Sequence, residues 1–144
     1  MALTGHCYCG ELRYEAGGSP MFQGQCHCRE CQYISGGMPV VIMAMPEASF
    51  KFTKGSPKAF RRSDLAKPVT REFCPNCGTH VTTRSPSMPG MVMVKVGTLD
   101  DPSVFKPQMV IFKEETSQFF GDRTVIRNVN VHNAISRPAK LILR

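Results

Sequence analysis

Apolar and polar residues alternate along the chain in short runs, each stopped by glycine or proline. Leu12-Arg13-Tyr14-Glu15-Ala16 alternates and ends at Gly17-Gly18-Ser19-Pro20, which predicts a strand closed by a turn. Phe22 to Cys26 leads into a cysteine-rich stretch, and Pro39 to Met45 reads as a buried strand. Pro46 to Ser49 is a single helical turn or a loop before Phe50-Lys51-Phe52. Val69 to Phe73 alternates into Cys74, Val81-Thr82-Thr83 leads away, and Met91 to Val96 forms a further strand stopped by Gly97. Repeated short strands with this punctuation predict a mainly β fold. The tail alternates again over Asp122 to His132 and closes on Lys140-Leu141-Ile142-Leu143-Arg144, a stretch suited to completing the sheet or to pairing with a second copy as a homodimer. The nine methionines, among them Met38, Met43, Met45, Met91 and Met93, are expected to fill the core.

The length of 144 residues sizes the chain for one domain, 1–144, burying roughly 70% of its unfolded surface. The longest apolar run, Val40 to Met45, falls far short of the roughly 20 residues of a membrane span. Met1 to Gly5 lacks the apolar core of a secretion signal, so the expected location is the cytoplasm. The net charge of +7 gathers in Lys51, Lys54, Lys58, Arg61, Arg62, Lys67 and Arg71. No recognition-helix pattern or aromatic-glycine RNA motif accompanies that charge, which argues against nucleic acid as the partner and equally fits a solvated basic face.

The seven cysteines change the picture most. They fall into three groups, Cys7/Cys9, Cys26/Cys28/Cys31 and Cys74/Cys77, and an odd number cannot all pair as disulfides within one chain. Such spacing without a secretion signal points to metal. Cys74-Pro75-Asn76-Cys77-Gly78 has the form of a zinc knuckle, in which one tight turn presents two thiolates. Strand geometry makes Cys7 and Cys9 a second chelating pair, and the four together suit a closed structural site. If Cys26 and Cys28 share a strand, the period of two points both sulfurs to one face, and a turn before Ser35-Gly36-Gly37 brings Cys31 to the same point. Three thiolates make an open site whose remaining position is left to substrate. Spacing also permits Cys28/Cys31 with Cys74/Cys77 as a two-knuckle ribbon, leaving Cys7, Cys9 and Cys26 over.

Gly5-His6-Cys7-Tyr8-Cys9-Gly10, Cys26-His27-Cys28-Arg29-Glu30-Cys31 with Ser35-Gly36-Gly37, Phe73-Cys74-Pro75-Asn76-Cys77-Gly78 and Val96-Gly97-Thr98-Leu99-Asp100-Asp101-Pro102 resemble, in order, the motifs of the glutathione-dependent formaldehyde-activating enzyme family, which also includes centromere protein V. The resemblance covers about residues 3–120 and leaves 121–144 as a divergent C-terminal extension. It implies a β-tent fold with two zinc ions per chain, the structural one held by Cys7, Cys9, Cys74 and Cys77 and the catalytic one by Cys26, Cys28 and Cys31. It also implies a carbon–sulfur lyase activity that forms or cleaves S-(hydroxymethyl)glutathione from glutathione and formaldehyde. Arg29, Lys51, Lys54, Arg61, Arg62 and Arg71 are candidates to steer or clamp the glutathione carboxylates.

The rival expectation is a non-catalytic, zinc-stabilised binding or scaffold protein that uses the basic face. His27, between two candidate ligands, should point away from the metal, and His80 should pack beside the knuckle. His6 and His132 carry no signal of their own. Asp100-Asp101 read as turn residues that bond to their own backbone.

Overall fold

The computed structural model describes residues 2–117. Along the chain run β1 (Leu3–His6), β2 (Arg13–Ala16), β3 (Phe22–Cys26), α1 (Arg29–Ser35), β4 (Val40–Pro46), β5 (Phe50–Lys54), β6 (Lys58–Phe60), β7 (Thr70–Phe73), β8 (His80–Arg84), β9 (Met91–Lys95) and β10 (Met109–Ile111). The mainly β expectation holds. The strands form two sheets, a small one in the order β1-β2-β5 and a seven-stranded one in the order β10-β3-β4-β9-β8-β7-β6. Neighbours are antiparallel except β10, which runs parallel to β3. The stretch Pro46 to Ser49 resolves as a 3-10 turn over Glu47–Ser49. The tail strand Asp122 to His132, the closing Lys140 to Arg144 and the expected pairing with a second copy lie outside the described residues.

β4 is apolar throughout because it is covered on both sides. Met43 and Met45 enter a core shared with Leu12, Tyr14 and Ala16 of the small-sheet side, and with Val92 and Val94 of β9. Val40, Ile42 and Ala44 point the other way and pack with Met93 in a second cluster beside Phe22, Cys31 and Ile34. A strand with two buried faces cannot show the hydrophobic-in, polar-out alternation of a half-exposed one. Met43, Met45 and Met93 are buried core residues, as expected, whereas Met38 is exposed.

Tyr14 joins the layers. Its hydroxyl lies 2.9 Å from the Thr98 hydroxyl, and burial pushes its phenol up to about 12. Gly5 of β1 passes directly over this pair, and a Cβ there would overlap the Thr98 carbonyl oxygen and the Tyr14 ring. Gly5→Ala is therefore expected to destabilise the protein by about 3 kcal/mol, as overpacked sites do. Thermal denaturation should show a midpoint roughly 10 °C lower. Gly97→Ala, where a Cβ meets nothing within 4 Å, is the matched control; equal midpoints for the two variants would contradict this packing.

Candidate metal centres

Two chain reversals build the first centre, and both use the same device. After β1 the chain turns at Cys7 to Gly10, with the Gly10 N–H donating to the Cys7 carbonyl at 2.9 Å. After β7 it turns at Cys74 to Gly78, with the Gly78 N–H donating to the Cys74 carbonyl at 2.9 Å. Each turn closes on a glycine in the left-handed region, Gly10 at φ 74° and Gly78 at φ 72°, where a side chain would be strained. Cys7 and Cys9 thus present their sulfurs from a turn; the strand expected to present them ends at His6. The Tyr8 N–H donates to the Thr79 hydroxyl at 3.0 Å and locks one turn to the other.

The Sγ atoms of Cys7, Cys9, Cys74 and Cys77 all lie within 4.8 Å of one another. Cys7 and Cys9 are 3.5 Å apart and Cys9 and Cys74 are 3.7 Å apart, close to the edge of about 3.8 Å that a tetrahedron with zinc–sulfur bonds near 2.3 Å requires. Donors are aimed at the sulfurs as well: the Leu12 N–H reaches Cys7 Sγ at 3.2 Å and the Asn76 amide reaches Cys9 Sγ at 3.4 Å. Among the described residues every cysteine is free of disulfides, so the set fits a metal. This grouping excludes the two-knuckle ribbon of Cys28/Cys31 with Cys74/Cys77.

The second group is Cys26, Cys28 and Cys31, with sulfurs again within 4.8 Å. Its local structure differs from the strand-and-turn expectation. β3 ends at Cys26; Cys28, at φ −57° and ψ 151°, is the entry residue of α1, and Cys31 lies in the first turn of that helix. The period-two argument therefore fails for Cys28, and the convergence comes from a strand meeting a helix. Gly36 ends α1 in the left-handed conformation, which accounts for the Ser35-Gly36-Gly37 signal. The hydrogen bond from Cys31, outweighing burial, brings the Cys26 thiol down to about 6, while the same contact and burial push Cys31 up.

These sulfurs stand in the wall of a cavity of about 530 Å³. Phe22, Ile42, Met88 and Met93 supply apolar wall, and Arg71 and Lys95 bring charge. Both cations are nearly buried, at 9% and 8% exposure. Arg71 reaches across to Glu30 of α1 at 2.7 Å. Burial lowers Lys95 to about 8, against the pull of the three cysteines.

The family model for the glutathione-dependent formaldehyde-activating enzyme matches residues 2–115. The chain belongs to that family. No curated protein matches the chain. Among solved structures, the crystal structure of a Rhodobacter sphaeroides protein is 18% identical with a TM-score of 0.56, covering 67% of this chain and 87% of that one. At that identity the likeness speaks for the fold.

In this family member the expected basic residues divide sharply. Arg29 and Arg71 line the cavity. Lys51 pairs with Glu15 at 3.1 Å and Lys54 with Glu11 at 3.3 Å on the small sheet, away from the cysteine trio. Arg62 pairs with Asp64 at 2.5 Å in an exposed loop, and Arg61 is exposed. Of the seven residues in the basic run, Lys51, Lys54, Arg62 and Arg71 are matched by carboxylates, so the run does not act as one unmatched positive surface.

His27 stands outside both sulfur groups and serves the structure around them. It is buried; its Nδ1 lies 2.7 Å from the Thr116 hydroxyl, and its backbone N–H donates to the Ile111 carbonyl at 3.0 Å. Gln32 completes the anchor by donating to the carbonyls of His27 and Glu115 at 2.8 and 2.6 Å. His80 packs against Phe73, which precedes the knuckle, and burial, then Lys95 and Arg71, bring it down to about 4. His6 lies 3.5 Å from Asp100. Asp101 accepts from the Ser103 N–H at 3.0 Å as a turn residue should, but Asp100 accepts from the Thr4 hydroxyl at 2.6 Å and ties its loop to β1.

Sequence reading passed over Lys95. Its signal was present as the single charge in the apolar run Met91-Val92-Met93-Val94-Lys95-Val96.

Proposed function

We propose that this family member is a zinc-dependent carbon–sulfur lyase that joins a thiol to an aldehyde, or cleaves the adduct, with S-(hydroxymethyl)glutathione as the reference product. The observation that carries the reading is the contrast between the centres. Four cysteines close the first, whereas three stand in the wall of a cavity of about 530 Å³ in the second. Structural zinc sites use four protein ligands, and catalytic ones commonly keep a position open. Cys7, Cys9, Cys74 and Cys77 would hold one zinc and Cys26, Cys28 and Cys31 the other, two per chain. Bound there, zinc supplies a Lewis acid that favours the thiolate form of a thiol.

The chain's own residues supply the rest. Phe22, Ile42, Met88 and Met93 give the cavity dry walls, which strengthen every charge interaction inside it. Arg29 is available for a substrate carboxylate, and Glu30 holds Arg71 in place. Three reduced cysteines at a cavity suit a reducing compartment such as the cytoplasm. Among the described residues no helix is long and apolar enough to cross a membrane.

The test is zinc content per chain, before and after a mild chelator, with glutathione-dependent formaldehyde turnover followed in parallel. Two zincs are expected, one of them leaving together with activity while the far-ultraviolet circular dichroism stays unchanged. One tightly held zinc and no turnover would end the reading.

A further inference from the structure

The alternation that sends Val92 and Val94 of β9 into the main core puts Met93 and Lys95 on the opposite face, at the cavity. Met93 fits that face; Lys95 does not. Its side chain is almost fully buried, and among the described residues no carboxylate lies within ion-pair distance of its ammonium, in contrast to Arg71 with Glu30 at 2.7 Å. A buried ammonium without a counter-charge is strongly disfavoured. Lys95 shares its cavity with the sulfurs of Cys31, Cys26 and Cys28, which favour its charge, and with Arg71, which opposes it. Three thiolates on a divalent ion carry one net negative charge, which a single ammonium balances.

A thiolate that attacks an aldehyde creates further negative charge. The carbon–sulfur bond forms, the carbonyl π pair moves to oxygen, and the resulting alkoxide takes a proton from solvent. That proton matches the one the thiol released on ionising. Cleavage runs the same steps backwards. Resting on the reaction proposed above, we propose that Lys95 is a catalytic residue whose ammonium holds this oxygen, so that the cavity contains a subsite for an anionic oxygen close to the substrate sulfur. Arg71 is already engaged by Glu30, and the Arg29 guanidinium lies over the Tyr33 ring and donates to Gln32, which leaves Lys95 as the buried cation in the wall without a carboxylate. A fixed charge aimed at a developing oxyanion in a dry site stabilises it without reorganisation.

Thiol binding to cobalt-substituted protein tests this independently of turnover, because a thiolate bound to cobalt changes the visible absorption. The probes are ethanethiol and thioglycolate, whose carboxylate sits near the sulfur as the alkoxide would. Wild type should prefer thioglycolate by about tenfold or more, the scale of one charge-assisted hydrogen bond. Lys95→Met should abolish the preference while keeping cobalt and binding ethanethiol within about twofold of wild type, and Lys95→Arg should restore part of it. Absence of a preference in wild type, or its persistence in Lys95→Met, would overturn the assignment. So would loss of the cobalt of the cysteine trio in Lys95→Met, which would make Lys95 a balance for ligand charge alone. Formaldehyde turnover without the thioglycolate preference would remove the subsite and keep the reaction, whereas the preference without turnover of any aldehyde would remove the reaction.

Discussion

Cys7→Ser is expected to unfold the protein at 25 °C. Cys7 is fully buried in the main core and takes the Leu12 N–H on its sulfur at 3.2 Å. A serine hydroxyl does not ionise near neutral pH and makes a poor fourth ligand. Structural zinc in small domains contributes about 10–16 kcal/mol to folding, which matches or exceeds the total stability of about 5–15 kcal/mol typical of a domain. The centre also ties the turn after β1 to the turn after β7, across the 65 residues that separate Cys9 from Cys74. Its loss releases the small sheet from the large one. Circular dichroism should show lost strand signal, and the zinc content should fall. A folded Cys7→Ser variant with an unchanged melting temperature would show that this centre is not structural.

Cys26→Ser should have the opposite signature. Cys26 ends β3, paired in register with Val40 of β4 and with Ile111 of β10, and these backbone bonds do not depend on its sulfur. The cysteine trio joins β3 to the short helix beside it, so its loss opens no long-range closure of the kind that Cys7 secures. The variant should keep one zinc and most of its melting temperature while turnover drops about a thousandfold, roughly 4 kcal/mol of barrier. The check is a paired measurement of metal content, melting and formaldehyde turnover. Melting of Cys26→Ser to the same extent as Cys7→Ser would make both centres structural and favour a binding protein over an enzyme.

The two variants probe features that were legible to different degrees. The strand from Val40 to Met45 stood out because both of its faces are covered, and a doubly buried strand must be apolar throughout. The knuckle at Cys74 to Gly78 was equally plain, since ligand spacing and the closing glycine are local requirements of one turn. The helix α1 was not anticipated. Arg29–Ser35 is only seven residues long, too short for its own periodicity to declare a helix, and it is entered from Cys28 with no side-chain cap hydrogen bond. Lys95 was overlooked because a lone charge in a strand has no meaning until the face it occupies is known.

By itself the sequence determined the mainly β architecture, the apolar strands, the knuckle turn at Cys74 to Gly78, the grouping of the cysteines and the resemblance to the family. All of these rest on short-range spacing, where neighbouring residues dictate backbone and side-chain direction. Tertiary structure alone decided that Cys7 and Cys9 meet Cys74 and Cys77, that β10 lies beside β3, and that Lys51, Lys54 and Arg62 of the basic run are matched by carboxylates away from the cavity. It also decided that Lys95 faces the cysteine trio. Those pairings join residues far apart in the chain, and they depend on how the sheets stack and which strand faces are covered, which no local pattern encodes.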